Sequence, residues 1–450
     1  VRPKRAAKAG PGRAAVFHSY EIEKIVPGGA GLARRGTEIV FIPGTLPGEV
    51  VQARIVQRKK DVSFARVERI VSPSPDRIAS PCPEHPDCGG CPWISFSPAA
   101  QIRAKEAILR EALARTGGLA GLSIEPAVPA PNPLGYRSRA RLKVDRTRKE
   151  IRLGFHREGT SVVHPIRGCP VLVPALSRII DSLTEALNAD AGRFAGLTEV
   201  HLLAGTESPL PLVALDMDWA DPGGVKRLHQ ALGRIGTPAH VVARVRKGRK
   251  RIVFGDETIR YGIGDLVLQA GDEAFTQSNP EMNARLVEVV TGFVRGLRPE
   301  PERVFDLYTG IGNFALPAAR ALPESRVFGV EENPAAVRDA RANADAAGMA
   351  GRVKFLEESA ERGLELLEGA GGKPDLVILD PPRTGASREV IKRIVGFEAP
   401  AILYVSCDPV TLARDLKVFV QAGYRADRIM PFDFFPQTPH LETLTVLTGC

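Results

Sequence analysis

At 450 residues the chain is too long for one ordinary domain, and two or three are expected. Its 44% apolar and 25% charged residues are those of a globular protein, and no run of about 18 apolar residues occurs, which excludes a membrane-spanning helix. The net charge of +9 favours a polyanionic partner. The basic start, Val1-Arg2-Pro3-Lys4-Arg5, is followed by no apolar signal segment, so a cytoplasmic protein is expected. Because the chain starts at Val1, its first residue is expected to be missing or reassigned.

Residues 1–15 form a basic tail in which Arg2, Lys4, Arg5, Lys8 and Arg13 have no acid among them. It reads equally as a disordered extension and as a phosphate-binding arm. From His18 to Ser72, β-rich runs such as Glu38–Ile42 and Glu49–Val56 alternate with turns at Pro27-Gly28-Gly29 and Pro43-Gly44. The pattern predicts a small OB-like barrel over residues 16–72, a fold that often binds oligonucleotides. Pro73, Pro75, Pro81, Pro83 and Pro86 then mark a linker.

Six cysteines are present, and three fall within ten residues as Cys82-x5-Cys88-x2-Cys91. In an intracellular chain such a cluster signals a metal site more often than a disulfide framework. Cys169, in Arg167-Gly168-Cys169-Pro170, is the best fourth ligand, with His85 a minor alternative. Zinc and a [4Fe–4S] cluster both accept four thiolates. A zinc site typically uses two close Cys-x-x-Cys pairs and only one is present, which tilts the choice towards iron–sulfur. The plainer reading is three unrelated buried thiols.

Ala99 to Ala114 reads as one amphipathic helix, with Ile102, Leu109 and Leu113 on a face that Lys105 and Glu106 interrupt. It is expected to pack on the C-terminal domain. Residues 126–265 read as mixed and mostly β, with one clear helix near Ala175–Leu187. Within them, Arg137, Arg139, Arg141 and Lys143 alternate along an extended run, which would space four cations roughly 6.5–7 Å apart on one face. Arg244, Arg246, Lys247, Arg249, Lys250 and Arg251 form a second cluster. RNA phosphates could lie along such faces; the plainer reading is solvated strands.

From Leu266 strands and helices alternate, which predicts a doubly wound parallel sheet over residues 266–450. Strands are expected at Arg303–Leu307, Arg326–Glu331, Val353–Leu356, Leu376–Asp380 and Ala401–Val405. After the first comes Asp306-Leu307-Tyr308-Thr309-Gly310-Ile311-Gly312-Asn313-Phe314, a glycine turn of the kind that binds S-adenosylmethionine. Gly310 and Gly312 let the backbone approach a ligand. A third dinucleotide glycine is absent, since residue 315 is Ala. Glu331 ends the second strand, placed for ribose hydroxyls. Asp380-Pro381-Pro382-Arg383 follows the fourth strand and Cys407 the fifth, on the same rim. A helix starting after Cys407 would lower its pKa and raise its thiolate fraction. Glu442 is a candidate base; its plainer reading is a surface carboxylate on the last strand.

These residues together resemble the RNA (uracil-C5)-methyltransferases, specifically the iron–sulfur branch that includes the 23S rRNA enzymes, over nearly the whole chain. The resemblance implies a TRAM barrel over 16–72, a central iron–sulfur and RNA-contacting domain over 73–265, and a Rossmann-like class I methyltransferase domain over 266–450. It implies a [4Fe–4S] cluster on Cys82, Cys88, Cys91 and Cys169. The family's Phe-x-Gln-x-Asn segment is present as Phe275-Thr276-Gln277-Ser278-Asn279, and its Asp-Pro-Pro-Arg-x-Gly turn at Asp380 to Gly385. S-adenosylmethionine would contact Gln277, Tyr308, Gly310, Gly312, Glu331 and Asp380. The base would meet Phe275, Gln277 and Asp380. Ser-Cys-Asp-Pro makes Cys407 the nucleophile, and His-x-Glu-Thr makes Glu442 the proton acceptor. One departure is visible: where some members carry Asn after the third strand, this chain has Glu358-Ser359.

The implied reaction is addition of Cys407 to C6 of a flipped uridine, methylation at C5 and loss of the C5 proton to Glu442. The expected partner is RNA, rRNA first, with no membrane, no obligate protein partner and a monomer by default. A tRNA uridine-C5 enzyme, a methyltransferase acting on a nitrogen, and a non-catalytic RNA-binding assembly factor are the alternatives.

Overall fold

The computed structural model describes residues 17–146, 150–246 and 250–449. The basic tail with Arg2, Lys4, Arg5, Lys8 and Arg13, and Lys247 and Arg249 of the second basic cluster, lie outside the described residues. The chain divides into two compact units, Val1–Ile78 and Ala79–Cys450.

In the first unit, six strands alternate apolar and polar residues: β1 (His18–Glu21), β2 (Lys24–Ile25), β3 (Gly31–Arg35), β4 (Glu38–Ile42), β5 (Val50–Arg58) and β6 (Val62–Ser72). Their order is β1-β5-β6-β4-β3-β2, with β4 and β6 parallel and the other pairs antiparallel. The inward residues Tyr20, Val40, Ile42, Val51, Ala53 and Ala65 form the core. One carboxylate is sealed with them. Glu49 is fully buried and takes hydrogen bonds from Arg77 Nε at 2.5 Å, Arg77 Nη2 at 2.8 Å and Leu46 N at 2.8 Å.

The second unit opens with α1 (Pro98–Ala112), capped by Ser97 and prolonged by a wider helical turn at Leu113–Gly117. Leu109, Ala112 and Leu113 join a core with Phe305, Leu412 and Leu416. Lys105, which interrupts the apolar stripe in sequence, is buried. Its Nζ donates to Asp433 Oδ1 at 2.5 Å and Phe435 O at 3.0 Å.

A seven-stranded sheet follows, built from β7 (Arg139–Arg146), β8 (Ile151–His156), β9 (Val163–Pro165), β10 (Leu197–Leu203), β11 (Leu212–Met217), β12 (His240–Val245) and β13 (Lys250–Phe254). Its order is β13-β12-β11-β10-β7-β8-β9. Helices α2 (Pro174–Asn188) and α3 (Pro222–Ile235) pack their apolar residues into its core. The sequence pattern showed only α2. Gly223, Gly224 and Gly233 dilute the apolar period of α3, which rests on Val225, Leu228 and Leu232.

A hairpin of β14 (Thr258–Ile263) and β15 (Leu266–Gly271) comes next, then α4 (Pro280–Gly296). The change of pattern read at Leu266 falls on the turn of this hairpin. The alternating region is β16 (Arg303–Leu307), α5 (Ala315–Ala321), β17 (Arg326–Glu331), α6 (Pro334–Ala346), β18 (Val353–Glu357), α7 (Ala360–Gly369), β19 (Leu376–Leu379), α8 (Arg388–Phe397), β20 (Ala401–Ser406), α9 (Pro409–Gln421), β21 (Arg425–Phe432) and β22 (Glu442–Thr448). The sheet order is β18-β17-β16-β19-β20-β22-β21: five parallel strands, then β22 antiparallel to both β20 and β21. Order reverses between β16 and β19, and ligands bind at such a switch point, outside the carboxyl ends of the strands. Among the described residues no helix is long and apolar enough to cross a membrane.

Arg77→Ala should leave the Glu49 carboxylate buried and unpaired, costing about 3 kcal/mol. Thermal unfolding should show the first unit melting earlier, and Glu49→Gln in the same background should recover part of the loss.

Candidate active site

Two backbone features shape the rim at the switch point. Gly312 holds φ 89°, and a Cβ there would meet Leu316 at 2.9 Å. Tyr308 holds φ 61°, an uncommon value for a bulky residue and a mark of local strain. The loop is pinned across the sheet, since Gly310 N donates to Glu331 Oε2 at 3.0 Å and Asn333 N to Glu331 Oε1 at 2.8 Å.

One cavity of about 800 Å³ is lined by Cys407, Glu442, Asp380, Gln277, Phe275, Tyr308, Gly310 and Glu331. The structure thus brings together residues spread from position 275 to 442. Gly312 does not line it; its part is the turn. Glu358 and Ser359, where the chain departs from the resemblance, do line it. A smaller recess shares Gln277, Tyr308, Gly310 and Asp380 and adds Asn283 and Asn313. These two asparagines exchange hydrogen bonds at 2.8 and 3.0 Å. Asn283 was not read as a site residue, although it stands one helical turn beyond Asn279.

Two buried carboxyl groups, Asp380 and Glu442, line the cavity, and Asp306 is buried at the start of its glycine loop. Burial pushes Asp306 up to about 7, against a 2.5 Å hydrogen bond from Thr309 Oγ1. Burial likewise pushes Asp380 up to about 7, opposed by Gln277 Nε2, which donates to Oδ2 at 3.3 Å. Glu442 is 3% exposed and held well above the usual carboxylate range, by burial and then by Asp380. It is not the surface carboxylate of the plainer reading. Glu442 Oε2 and Gln277 Oε1 are buried and have no hydrogen-bond partner among the described residues.

Cys407 follows β20, and Asp408 caps α9 by accepting from Val410 N and Thr411 N, each at 2.9 Å. The helix start is where the sequence placed it, but its expected effect on the thiol is outweighed. Burial, then Glu442 and Asp380, push Cys407 up to about 12; Arg383 acts the other way. Arg383 Nη2 also donates to His440 Nε2 at 3.2 Å. Burial, with Arg383, Lys105 and Arg137, lowers His440 to about 4 and keeps it neutral.

A second cavity, of about 280 Å³, is lined by Cys82, Cys88, Cys91 and Cys169, with His85 also on its wall. None of these four cysteines is in a disulfide. Among the described residues, the one set of three or more ligand groups mutually within 4.8 Å is Glu199, His201 and Asp216, so no three of the four thiols are that close. Around a single zinc ion, bonds of about 2.3 Å set sulfurs roughly 3.8 Å apart. The thiols therefore stand farther apart than they would around one zinc ion. The Glu199 group is poorly suited to a metal, because Lys143, Arg141 and Arg244 already neutralise its carboxylates. Arg137 lines both the thiol cavity and the one holding Cys407.

The family model described as tRNA (Uracil-5-)-methyltransferase matches residues 100–449, and a TRAM domain model matches residues 21–67. The 23S rRNA (uracil(1939)-C(5))-methyltransferase RlmD of Aeromonas hydrophila subsp. hydrophila is 34% identical over 429 residues, 92% of each chain. That of Edwardsiella ictaluri is 33% identical over 420 residues, 93% of this chain and 92% of the relative. The crystal structure of Pyrococcus abyssi tRNA (uracil-54, C5)-methyltransferase with S-adenosyl-L-homocysteine superposes with a TM-score of 0.74 at 25% identity, covering 95% of this chain and 99% of that one.

The buried carboxyls set a pH signature. A carboxyl near 7 in the folded state and about 3.9 unfolded contributes nothing below the lower value. Between the two the folded chain keeps a proton that the unfolded chain has shed, so stability falls as pH rises. Asp380→Asn should therefore be more stable than the parent above pH ~7, by on the order of 1–4 kcal/mol, with the gain vanishing near pH ~4. Denaturant titrations across that range check it.

Proposed function

The chain belongs to the tRNA (uracil-5-)-methyltransferase family, and from that premise we propose that it methylates C5 of a uridine in structured RNA, 23S rRNA first, through a covalent Cys407–C6 adduct. One observation carries the reading: Cys407, Glu442, Asp380 and Gln277 line the same cavity as the glycine loop that follows β16. The rRNA assignment leans on relatives that are 33% and 34% identical over most of both chains. The runner-up substrate is tRNA, named for the Pyrococcus abyssi enzyme. The domain division proposed is 16–72 for the TRAM barrel, 73–265 for a central RNA-contacting domain and 266–450 for the catalytic domain.

S-adenosylmethionine would supply an electrophilic methyl group and be held by Gln277, Tyr308, Gly310, Glu331 and Asp380. Glu331, anchored by two backbone amides, suits ribose hydroxyls. The chain's own work is then as follows. Phe275, Gln277 and Asp380 receive the flipped base; the unpartnered Gln277 Oε1 accepts an N–H and a protonated Asp380 donates to a carbonyl. Once the Cys407 thiol has lost its proton to solvent, the thiolate adds to C6, and the electron pair displaced from the C5=C6 bond makes C5 nucleophilic. After C5 is methylated, Glu442 removes its proton. The raised pKa of Glu442 makes it a stronger base than an exposed carboxylate. Expulsion of Cys407 restores the double bond. Arg383, the group that opposes the rise in both the thiol and Glu442, favours the anionic forms during this cycle.

Cys82, Cys88, Cys91 and Cys169 would hold a [4Fe–4S] cluster, whose part is structural, since methyl transfer requires no electron. The spread of the thiols and the cavity of about 280 Å³ between them support this over a single zinc ion.

Cys407→Ala should abolish both methylation and the covalent RNA adduct. Glu442→Gln should still form the adduct while losing turnover by about 10²–10⁴-fold. Denaturing gels with unmodified uridine-containing RNA and labelled donor decide; an adduct persisting in Cys407→Ala refutes the assignment.

Protein purified without oxygen should carry about four irons and four sulfides per chain. Cys169→Ser should lower the iron content and the melting temperature. Elemental analysis that finds about one zinc instead would overturn the cluster.

A further inference from the structure

A third cavity, of about 960 Å³, opens beside the one that holds Cys407, and the two share Arg139, Arg141, His201 and Phe275. Its walls come from β7, β10, β11, β12 and β13, from the turn after β15 and from the start of α6. They carry seven cationic side chains against four carboxylates. The carboxylates are spent within the protein. Glu199 pairs with Lys143 and Arg141, and Asp216 takes Arg244 Nη2 at 2.6 Å. Asp272 Oδ1 and Glu273 Oε2 each take an Arg251 nitrogen at 2.7 Å.

Those pairs leave a surplus of charge that faces the solvent. Arg246 and Lys250 are exposed, and their side chains have no ion-pair or hydrogen-bond partner among the described residues. The side chain of Arg338 is 67% exposed and reaches only Asp339, at 3.6 Å. Arg244 and Arg251 are of another kind, fixed by acids on both sides; they stiffen the wall on which the loose cations stand. The amino end of α6 at Asn333-Pro334-Ala335 adds the positive end of a helix dipole to the same opening.

We propose that this groove carries the phosphodiester backbone of the single-stranded RNA segment on one side of the target uridine, with Arg246, Lys250 and Arg338 as its phosphate contacts. The inference rests on the functional reading above. A base inserted into the cavity of Cys407 must leave its flanking phosphates at the mouth, and the groove begins there, at Arg139, Arg141 and Phe275. The exposed ring of Phe275, 65% accessible with the Arg139 guanidinium 5.9 Å from its centre, marks the passage between the two cavities. Contacts of this type set position and affinity and carry no sequence information. This groove therefore serves any RNA whose uridine can be extruded, and the choice of uridine is made elsewhere.

The test is equilibrium binding of short uridine-containing RNAs to the full chain, extended either 5′ or 3′ of the target, across about 50 to about 200 mM salt. Arg246→Ala/Lys250→Ala should weaken binding about tenfold at the lower salt and flatten the plot of log affinity against log salt by about 1.4, two single-strand contacts at about 0.7 each. The loss should fall on one of the two extensions and spare the other. S-adenosylmethionine affinity and the melting temperature should match the parent's, which separates lost contacts from misfolding. Lys373→Ala, removal of one cation outside the groove, should leave affinity and slope unaltered. Affinity within about twofold of the parent on both extensions, with an unchanged slope, overturns the proposal. Failure of the functional reading would look different, as wild-type protein that binds RNA yet makes no 5-methyluridine.

Discussion

The site depends on placing carboxyl groups where water cannot reach them and where few cations do. Asp306, Asp380 and Glu442 are all buried near one cavity; the ionised form of Asp380 raises Asp306, Glu442 and the thiol of Cys407, and that of Glu442 raises the thiol as well. A doubly wound sheet makes the arrangement possible. It sends the ends of β16, β19 and β20 to one rim, and the antiparallel β22 returns its first residue, Glu442, to the same place. The stored electrostatic cost is of the kind that active sites carry and cores avoid. A cationic methyl donor is the complement such a rim lacks.

Much of this was legible in sequence because the chain announces parallel strands plainly. Arg303–Leu307 and Arg326–Glu331 are short apolar runs bounded by turn residues, and both were placed to the residue. Each carries its functional group at the strand's end, where sequence offset alone predicts the rim. Legibility failed where meaning depended on a partner far along the chain. Lys105 broke a helical stripe in sequence, but its partner Asp433 lies 328 residues away. The pKa of Cys407 was read from its helix, a local feature, whereas the dominant effects come from burial and from Glu442 and Asp380. The alternating cations of β7 show the same limit. Lys143 and Arg141 pair with Glu199 on the neighbouring strand β10, so part of that basic face is internal wiring.

The loop between β21 and β22 shows how the cysteine-bearing segment bears on the chemistry without touching it. That loop delivers His440 and then Glu442, and its backbone is held from several directions. Trp93 N donates to Gln437 O at 3.0 Å, Tyr136 Oη to Pro436 O at 2.9 Å, and Asn279 Nδ2 to Phe434 O at 3.1 Å. Gln101 and Gln437 bind each other twice, at 2.7 and 2.9 Å, and Lys105 grips Asp433 and Phe435. Trp93 stands two residues after Cys91, and Tyr136 packs with Ile94, Cys82, Cys91 and Cys169. Whatever the four thiols hold is thus mechanically continuous with the anchors of the catalytic loop. Gln437 sits at φ 71°, a conformation that persists only when its surroundings impose it. Loosening the cysteine cavity would relax those anchors first. The consequence would reach Glu442 as misplacement and leave its chemistry otherwise intact.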